Sequence, residues 1–190
     1  MKKSFYLILT LSLAAAGVSA AEKVLLHESF DSARLPAVRI DVSKDYPAKF
    51  SYFPKEGHKK AGCRGIVLPD EIIPGKSISI YTLQQPLDPE KSYVCRIYIK
   101  PNKKCDSGTF VVTVRPRTEK GKWLWKAQPL VKKIDMTELP ADKWTKVEFE
   151  FKALATDRFW KQGKFFIPIF SARGTSGLTL YIDDLEIIEK

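Results

Sequence analysis

The segment WTKVEFEF (residues 144–151) alternates apolar and polar side chains almost one by one. Successive side chains on a β-strand project to opposite faces, so Val147, Phe149 and Phe151 share one face and the charged residues between them share the other. A strand with one apolar and one charged face is typical of an antiparallel sheet that covers a core on one side. This segment therefore predicts a half-buried strand, and Trp144 is interpreted as its first, structural residue.

Short segments of the same kind recur along the chain, separated by Pro, Gly, Asp and Lys. They predict an all-β antiparallel sandwich. A turn-forming stretch joins residues 92–100 to 109–116, and we expect these two strands to form a hairpin with a long loop. Helix is limited to 153–162, where Asp157 can cap one short turn. The predicted strands are residues 23–30, 48–53, 64–68, 77–83, 92–100, 109–116, 123–127, 144–151, 164–171 and 178–188.

The first twenty residues have the composition of a secretory signal peptide. Lys2 and Lys3 precede an apolar run over 5–17, and the small residues at 18–20 form a cleavage site. The run is shorter than the roughly 20 residues that a membrane-spanning helix needs. We expect cleavage after Ala20, export to the periplasm, cell surface or medium, and one β-sandwich domain over residues 21–190. No later segment has the sequence of a membrane span.

Removing residues 1–20 takes away two lysines and no acid, so the net charge falls from +10 to +8. A basic surplus suits nucleic acid, anionic lipid or acidic polysaccharide. Export argues against nucleic acid. Because the lysines are scattered in pairs, such as Lys59 and Lys60, the favoured interpretation is a solvated surface that blunts strand edges and maintains solubility.

Three cysteines remain in the expected mature chain, so one disulfide at most can form within it. Cys95 shares a strand face with Tyr93 and Ile97 and is expected to be buried. Cys63 and Cys105 lie in loop-like sequence. A Cys63–Cys105 bridge and three free thiols are both compatible with this pattern.

Catalytic motifs are missing from the sequence. His27 and His58 do not have the spacing of a metal-binding pair, and no G-x-S-x-G turn presents a serine nucleophile. We expect no enzymatic activity, although two distant carboxylates would leave no local motif.

The final strand contains two adjacent acids, Asp183 and Asp184, in an otherwise apolar run. The apolar alternation slips by one residue at this point, which indicates a β-bulge. An inward carboxylate needs a cation or several hydrogen-bond donors, and oxygen ligands of this kind suit calcium. Solvated acids at a strand end are the simpler alternative.

Four segments, at 25–31, 93–100, 143–149 and 180–187, resemble in order the strands of carbohydrate-binding modules of families 4 and 9. Those modules belong to the galactose-binding jelly-roll group, so the resemblance implies a jelly-roll sandwich and glycan binding. It also implies a structural calcium between the first and last strands, held by Glu28 with Asp183 or Asp184. A serine follows the glutamate here, which departs from the family pattern.

Glycan binding needs exposed aromatic rings that stack on sugar rings. Trp123 and Trp125 alternate between lysines and are predicted to project from one strand face, roughly 6.5–7 Å apart. Trp160, in a polar stretch, is the third candidate. The sequence therefore favours a secreted, non-catalytic module that binds a polysaccharide, acidic if the lysines take part. The alternative is a periplasmic or surface sandwich for protein–protein contact or assembly, in which case the tryptophans would be core residues.

Overall fold

Two antiparallel sheets cover a shared apolar core in the computed structural model, which describes residues 22–32, 34–59 and 61–190. The predicted signal peptide, residues 1–20, lies outside the described residues. Sheet A contains β1 (Lys23–Glu28), β3 (Lys49–Phe53), β4 (Cys63–Val67), β7 (Ser92–Pro101), β10 (Thr145–Lys152) and β12 (Thr179–Glu189). Sheet B contains β2 (Val38–Val42), β5 (Ile78–Thr82), β6 (Gln85–Pro86), β8 (Thr109–Arg117), β9 (Leu130–Asp135) and β11 (Phe165–Arg173).

The strand order in sheet A is β10-β7-β12-β4-β3, and β1 also pairs with β12. One edge of β12 is shared, because its residues 179–182 pair with β4 and its residues 185–189 pair with β1. The order in sheet B is β2-β5-β11-β8-β9, with the short β6 beside β11. The all-β antiparallel sandwich predicted from the sequence is confirmed.

The core lies between the sheets and is rich in aromatic and β-branched side chains. In β8, Phe110, Val112 and Val114 point inward, and Phe166 and Phe170 of β11 meet them. Each large apolar side chain that is fully buried stabilises the fold by about 1.5–3 kcal/mol. Inward and outward residues alternate along β8 and β11, so the opposite face of sheet B is formed by a second, independent set of side chains.

Two predictions about strands were wrong. Residues 92–100 and 109–116 do not form a hairpin, because β7 pairs with β10 and β12 in sheet A whereas β8 pairs with β9 and β11 in sheet B. The connecting loop therefore crosses from one sheet to the other. Residues 123–127 do not form a strand, and the strand in this region is β9. Strand β2 was not predicted.

The three thiols are free and buried, so the Cys63–Cys105 bridge is not formed. Cys63 opens β4, and Cys105 packs into the core from the loop after β7. Burial raises the pKa of the Cys63 thiol to about 12. A thiol that stays protonated is a weak nucleophile, so these cysteines are packing residues.

Helix is confined to α1 (Arg158–Lys161) and a 3₁₀ turn (Met136–Glu138) among the described residues. Asp157 caps α1 as predicted, because its carboxylate accepts hydrogen bonds from the backbone N–H groups of Phe159 and Trp160.

Among the described residues, no helix has the length and apolar character needed to span a membrane.

Candidate functional site

A groove crosses the outer face of sheet B. Its floor comes from outward positions of three neighbouring strands, where Ile169 and Ser171 of β11 lie between residues of β5 and β8. Ser171 is 2% exposed although it faces away from the core, so the floor is deeply recessed. The groove has a volume of about 370 Å³. The floor residues are Ser79, Val111, Thr113, Ile169 and Ser171.

The floor is apolar apart from a few hydroxyl groups. Ser79 and Ser171 lie opposite each other, with their hydroxyl oxygens 2.8 Å apart. A hydroxyl can donate and accept, so this pair can also hydrogen-bond to a ligand that lies on the floor.

The groove continues past Tyr81 into a second pocket of about 330 Å³. Tyr81 lines both pockets, and Gln84, Arg117 and Trp123 lie at the far end of the second. We call the two pockets together the sheet B groove.

Trp123 and Trp125 line this groove from a loop. Trp123 makes one isolated bridge with Arg117, and the chain then turns, with the Ala127 N–H donating to the Leu124 carbonyl at 2.9 Å. Trp125 is 62% exposed, whereas Trp123 is half-buried. Their rings stack on each other with centroids 5.0 Å apart, so they do not lie side by side as predicted for a strand.

An arginine side chain lies near each of the three aromatic rings of the groove, Tyr81, Trp123 and Trp125. The guanidinium carbons of Arg115 and Arg117 lie 5.3 Å from the ring centre of Trp125 and 4.8 Å from that of Trp123, respectively. Arg39 lies 5.4 Å from the centre of the Tyr81 ring. Cation–π contacts of this kind orient the rings and place positive charge beside the groove.

Trp160 is not part of this surface. It is 1% exposed, belongs to the core and donates from Nε1 to the Gln128 carbonyl at 2.8 Å. The prediction that Trp160 contacts a ligand is wrong, because α1 turns this side chain inward even though its sequence neighbours are polar.

The predicted bulge in β12 is confirmed. The register with β7 shifts between Asp183 and Glu186, and Asp184 has a φ of 44°. The bulge lies where the partner of β12 changes from β4 to β1. Asp183 is 2% exposed and accepts hydrogen bonds from the backbone N–H groups of His58 (2.7 Å) and Asp184 (2.9 Å). Burial raises its pKa to about 6.

Asp184 is engaged by three basic side chains. Its carboxylate lies 3.0 Å from Nζ of Lys59, 3.2 Å from Nδ1 of His58 and 3.6 Å from Nε2 of His27. Burial opposes ionisation, but the hydrogen bonds from Lys59 and His58 hold the pKa of Asp184 below its ordinary value. This cluster ties the loop before β4 to the bulge.

The loop is also held by aromatic contacts. The His58 ring stacks on Tyr98 with centroids 3.9 Å apart and meets Trp144 edge-on at 5.8 Å. Trp144 directly precedes β10 and is half-buried, in keeping with the structural role expected for it.

Glu28, Asp183 and Asp184 do not fit a calcium site. Both carboxylate oxygens of Glu28 accept backbone hydrogen bonds, from Phe30 and Ala37, each at 3.2 Å. Lys59 contacts Asp184, which places an ammonium group where a cation would bind. Among the described residues, no group of three or more His, Cys, Asp and Glu residues could hold a metal ion.

Sequence reasoning did not identify Tyr81, Arg39, Arg115, Ser79 or Ser171 as site residues. The outward phase of β8 is readable in the sequence, since Thr113 and Arg115 alternate with apolar residues. The strand order of sheet B, which brings these positions together, depends on pairings between distant segments and leaves no local pattern.

No protein-family model matches the sequence, and a comparison with curated proteins finds no significant match. Solved structures do match. One is the carbohydrate-binding module TmCBM61 in complex with β-1,4-galactotriose, with a TM-score of 0.56 and 12% identity over 84% of this chain and 93% of that chain.

A second is the CBM22-1 xylan-binding domain of Xyn10C from Paenibacillus barcinonensis (TM-score 0.55, 13% identity, 88% of this chain and 94% of that chain). A third is the K3 cleaved adhesin domain of Lys-gingipain from Porphyromonas gingivalis (TM-score 0.55, 13% identity, 88% and 99%). These structural matches establish a shared jelly-roll fold, and at 12–13% identity they establish no more than the fold. The matched modules belong to families 61 and 22, so the finer resemblance to families 4 and 9 is not established.

Proposed function

We propose that this domain binds a glycan chain in the sheet B groove and that Trp125 is the ring on which a sugar stacks. The observation that carries the proposal is the position of Trp125, which is 62% exposed and stands beside a recessed, uncharged floor. The C–H face of a pyranose packs on a flat aromatic ring, while hydroxyl groups such as those of Ser79 and Ser171 can hydrogen-bond to the sugar.

The fold supports this proposal. Two of the matched structures are carbohydrate-binding modules, one in complex with β-1,4-galactotriose and the other described as xylan-binding. They show that a sandwich of this architecture can carry a glycan site. The site of this chain is argued from its own residues, because function does not follow from fold.

We infer that the groove binds without catalysis. Glycoside hydrolysis uses two carboxyl groups that flank the scissile bond. The lining of the sheet B groove, as far as the structure describes it, contains no Asp, Glu or His residue.

We also propose that the protein is exported, on the sequence of residues 1–20. The mature chain is then expected to begin at Ala21. N-terminal sequencing of protein recovered outside the cytoplasm tests this, and a retained Met1 would contradict it.

The binding proposal is tested by presenting residues 21–190 to a panel of immobilised neutral and acidic polysaccharides. Trp125→Ala should weaken the binding that is found by about 1–3 kcal/mol, the typical loss for an aromatic anchor. Tyr52→Ala is the matched control, because Tyr52 is 37% exposed but belongs to β3 of sheet A. An equal effect of both substitutions would contradict a site at Trp125.

The alternative function is protein–protein contact. It predicts that no polysaccharide of the panel is retained and that Trp125→Ala weakens self-association or binding to a protein partner. The exposed position of Trp125, away from Phe149 and Phe151 of sheet A, favours the glycan interpretation.

A further inference from the structure

The outer faces of the two sheets differ in how their positive charges are neutralised. On sheet A, several cationic side chains have acidic partners. Arg96 lies 2.7 Å from Glu148 and 2.8 Å from Glu186, and Lys100 lies 3.0 Å from Glu56.

On the outer face of sheet B, the cationic side chains that line the groove lack acidic partners. Five basic residues line the groove, and none of them has a carboxylate oxygen within 4.0 Å in the described part of the chain. They are Arg39, Arg115, Arg117, Lys133 and Arg173.

Four of these cations surround the floor. Arg115 of β8 lies opposite Ile167 of β11, and Arg173 is the last residue of β11. The stretch from Ile167 to Arg173 spans roughly 20 Å along the strand, so the two arginines mark the ends of the floor. Arg39 on β2 and Lys133 on β9 stand on the two edge strands, roughly 19 Å apart across the sheet. The uncharged floor therefore lies inside a ring of positive charge.

The fifth cation, Arg117, adds to this field. Its Nε is buried and has no hydrogen-bond partner among the described residues, and its Nη1 lies 3.5 Å from the amide oxygen of Gln84. A guanidinium beside a groove suits a carboxylate or sulfate, which accepts hydrogen bonds from it in a fork geometry.

We propose that the sheet B groove selects an anionic glycan, one that carries carboxylate or sulfate groups along its chain. This inference rests on the proposed function and names the ligand class for the same site. The sugar ring stacks on Trp125 over the floor, and the acidic substituents extend to the surrounding cations. Because none of the five cations has a carboxylate partner among the described residues, an acidic substituent of the ligand would meet no competing acid at these side chains.

Among the described residues, two acids stand on the outer face of sheet B, and both lie outside the groove lining. Asp41 neighbours Ser79 on β2, and Asp135 ends β9. The Asp135 carboxylate accepts hydrogen bonds from the N–H and hydroxyl of Thr137, so it serves the 3₁₀ turn.

The test uses two matched pairs of polysaccharides and titration calorimetry with residues 21–190. Polygalacturonate and its methyl-esterified form share a backbone and differ in carboxylate charge. Dextran sulfate and dextran differ in sulfate charge. We expect at least one polyanion to bind about tenfold more tightly than its neutral counterpart, and this preference should shrink as salt screens the charges. The pair that shows the preference identifies the acidic group.

The double variant Lys133→Gln/Arg173→Gln removes two cations that do not stack on the groove tryptophans. It should reduce the preference for the polyanion, measured as the ratio of its affinity to that of the neutral counterpart, about tenfold. Lys49→Gln/Arg34→Gln removes the same two residue types from β3 and the loop after β1, and it should leave the preference intact.

The outcomes separate the two proposals. Equal affinity for charged and neutral partners, an unchanged preference in the groove variant, or tighter binding of a single-stranded oligonucleotide would overturn the anionic-glycan inference. Binding to a neutral glycan of the panel would still support the proposed function in the first two cases. Failure to bind any polysaccharide would overturn both.

Discussion

The indole ring of Trp123 stacks against the indole ring of Trp125, with centroids 5.0 Å apart and planes inclined by 28°. On a regular strand the two rings would lie roughly 6.5–7 Å apart and each would offer a free face. Here Trp123 covers one face of Trp125, and each ring also has an arginine guanidinium nearby, Arg115 at Trp125 and Arg117 at Trp123. Trp125 is the more exposed of the two rings, at 62%, so we propose that it contacts the ligand and that Trp123 positions it.

Substitution of Trp123 should therefore weaken glycan binding through the loss of its support for the Trp125 ring. Trp123→Ala leaves Trp125 unsupported, and we expect a loss of about 0.5–1.5 kcal/mol, the value of one aromatic pair. Trp123→Phe keeps a stacking ring and should restore most of the affinity. Titration calorimetry of the two variants measures this, and a failure of Trp123→Phe to recover any binding would argue against a positioning role.

Because Trp160 is buried and Trp125 is exposed, replacing them with alanine should change the stability of the protein to different degrees. Trp160→Ala empties a core position and should lower the free energy of unfolding by about 3–5 kcal/mol. Trp125→Ala removes an exposed ring and should change it by no more than about 0.5 kcal/mol. Denaturant unfolding of both variants is the measurement. Similar losses of unfolding free energy in the two variants would mean that the Trp125 ring is packed against the protein and not exposed to a ligand.

Local alternation explains which strands could be predicted. In β10 the apolar positions 147, 149 and 151 alternate with charged residues without interruption, so its existence and its inner face follow from the sequence. In β9 the positively charged Lys132 stands on the inner face between Leu130 and Ile134, which conceals the pattern. Edge strands tolerate such a lysine because its amino group can reach solvent.

Pairing between strands could not be predicted in the same way. The turn-forming stretch after β7 suggested a hairpin, but a turn-rich loop looks the same whether it closes a hairpin or crosses between sheets. The bulge at Asp184 was predictable because it alters the alternation itself. The groove was not, because its floor needs β5, β8 and β11 side by side, and no single one of these strands reveals that arrangement.

Calcium should have no effect on thermal stability. A ligand that binds the folded state raises the melting temperature. Since the Glu28 and Asp184 oxygens are already engaged by backbone N–H groups and by Lys59, we expect the same melting curve with excess calcium and with a chelator. A calcium-dependent rise that disappears in Asp184→Asn would restore the site inferred from the family resemblance.

The cluster around Asp184 should make stability depend on pH. The folded pKa of Asp184 is below its unfolded value of about 3.9, so its ionised form stabilises the fold above that pH. This stabilisation is lost as the pH falls through the folded pKa. Asp183 acts in the opposite sense, because its raised pKa gives stability that is complete below about pH 4 and lost as the pH rises through about 6.

Asp184→Asn isolates the first effect. Asparagine tolerates the positive φ at this position, so the substitution removes the charge without adding backbone strain. At neutral pH the variant should lose roughly 1–3 kcal/mol of unfolding free energy, the scale of a hydrogen bond to a charged group. The difference from the parent protein should shrink as the pH falls below about 4, because protonated Asp184 no longer attracts Lys59 and His58. Urea unfolding across this pH range measures the difference, with Asp41→Asn as the control because Asp41 is an exposed carboxylate of β2. A loss for Asp184→Asn that is the same at every pH would show that the carboxylate contributes through shape and not through charge.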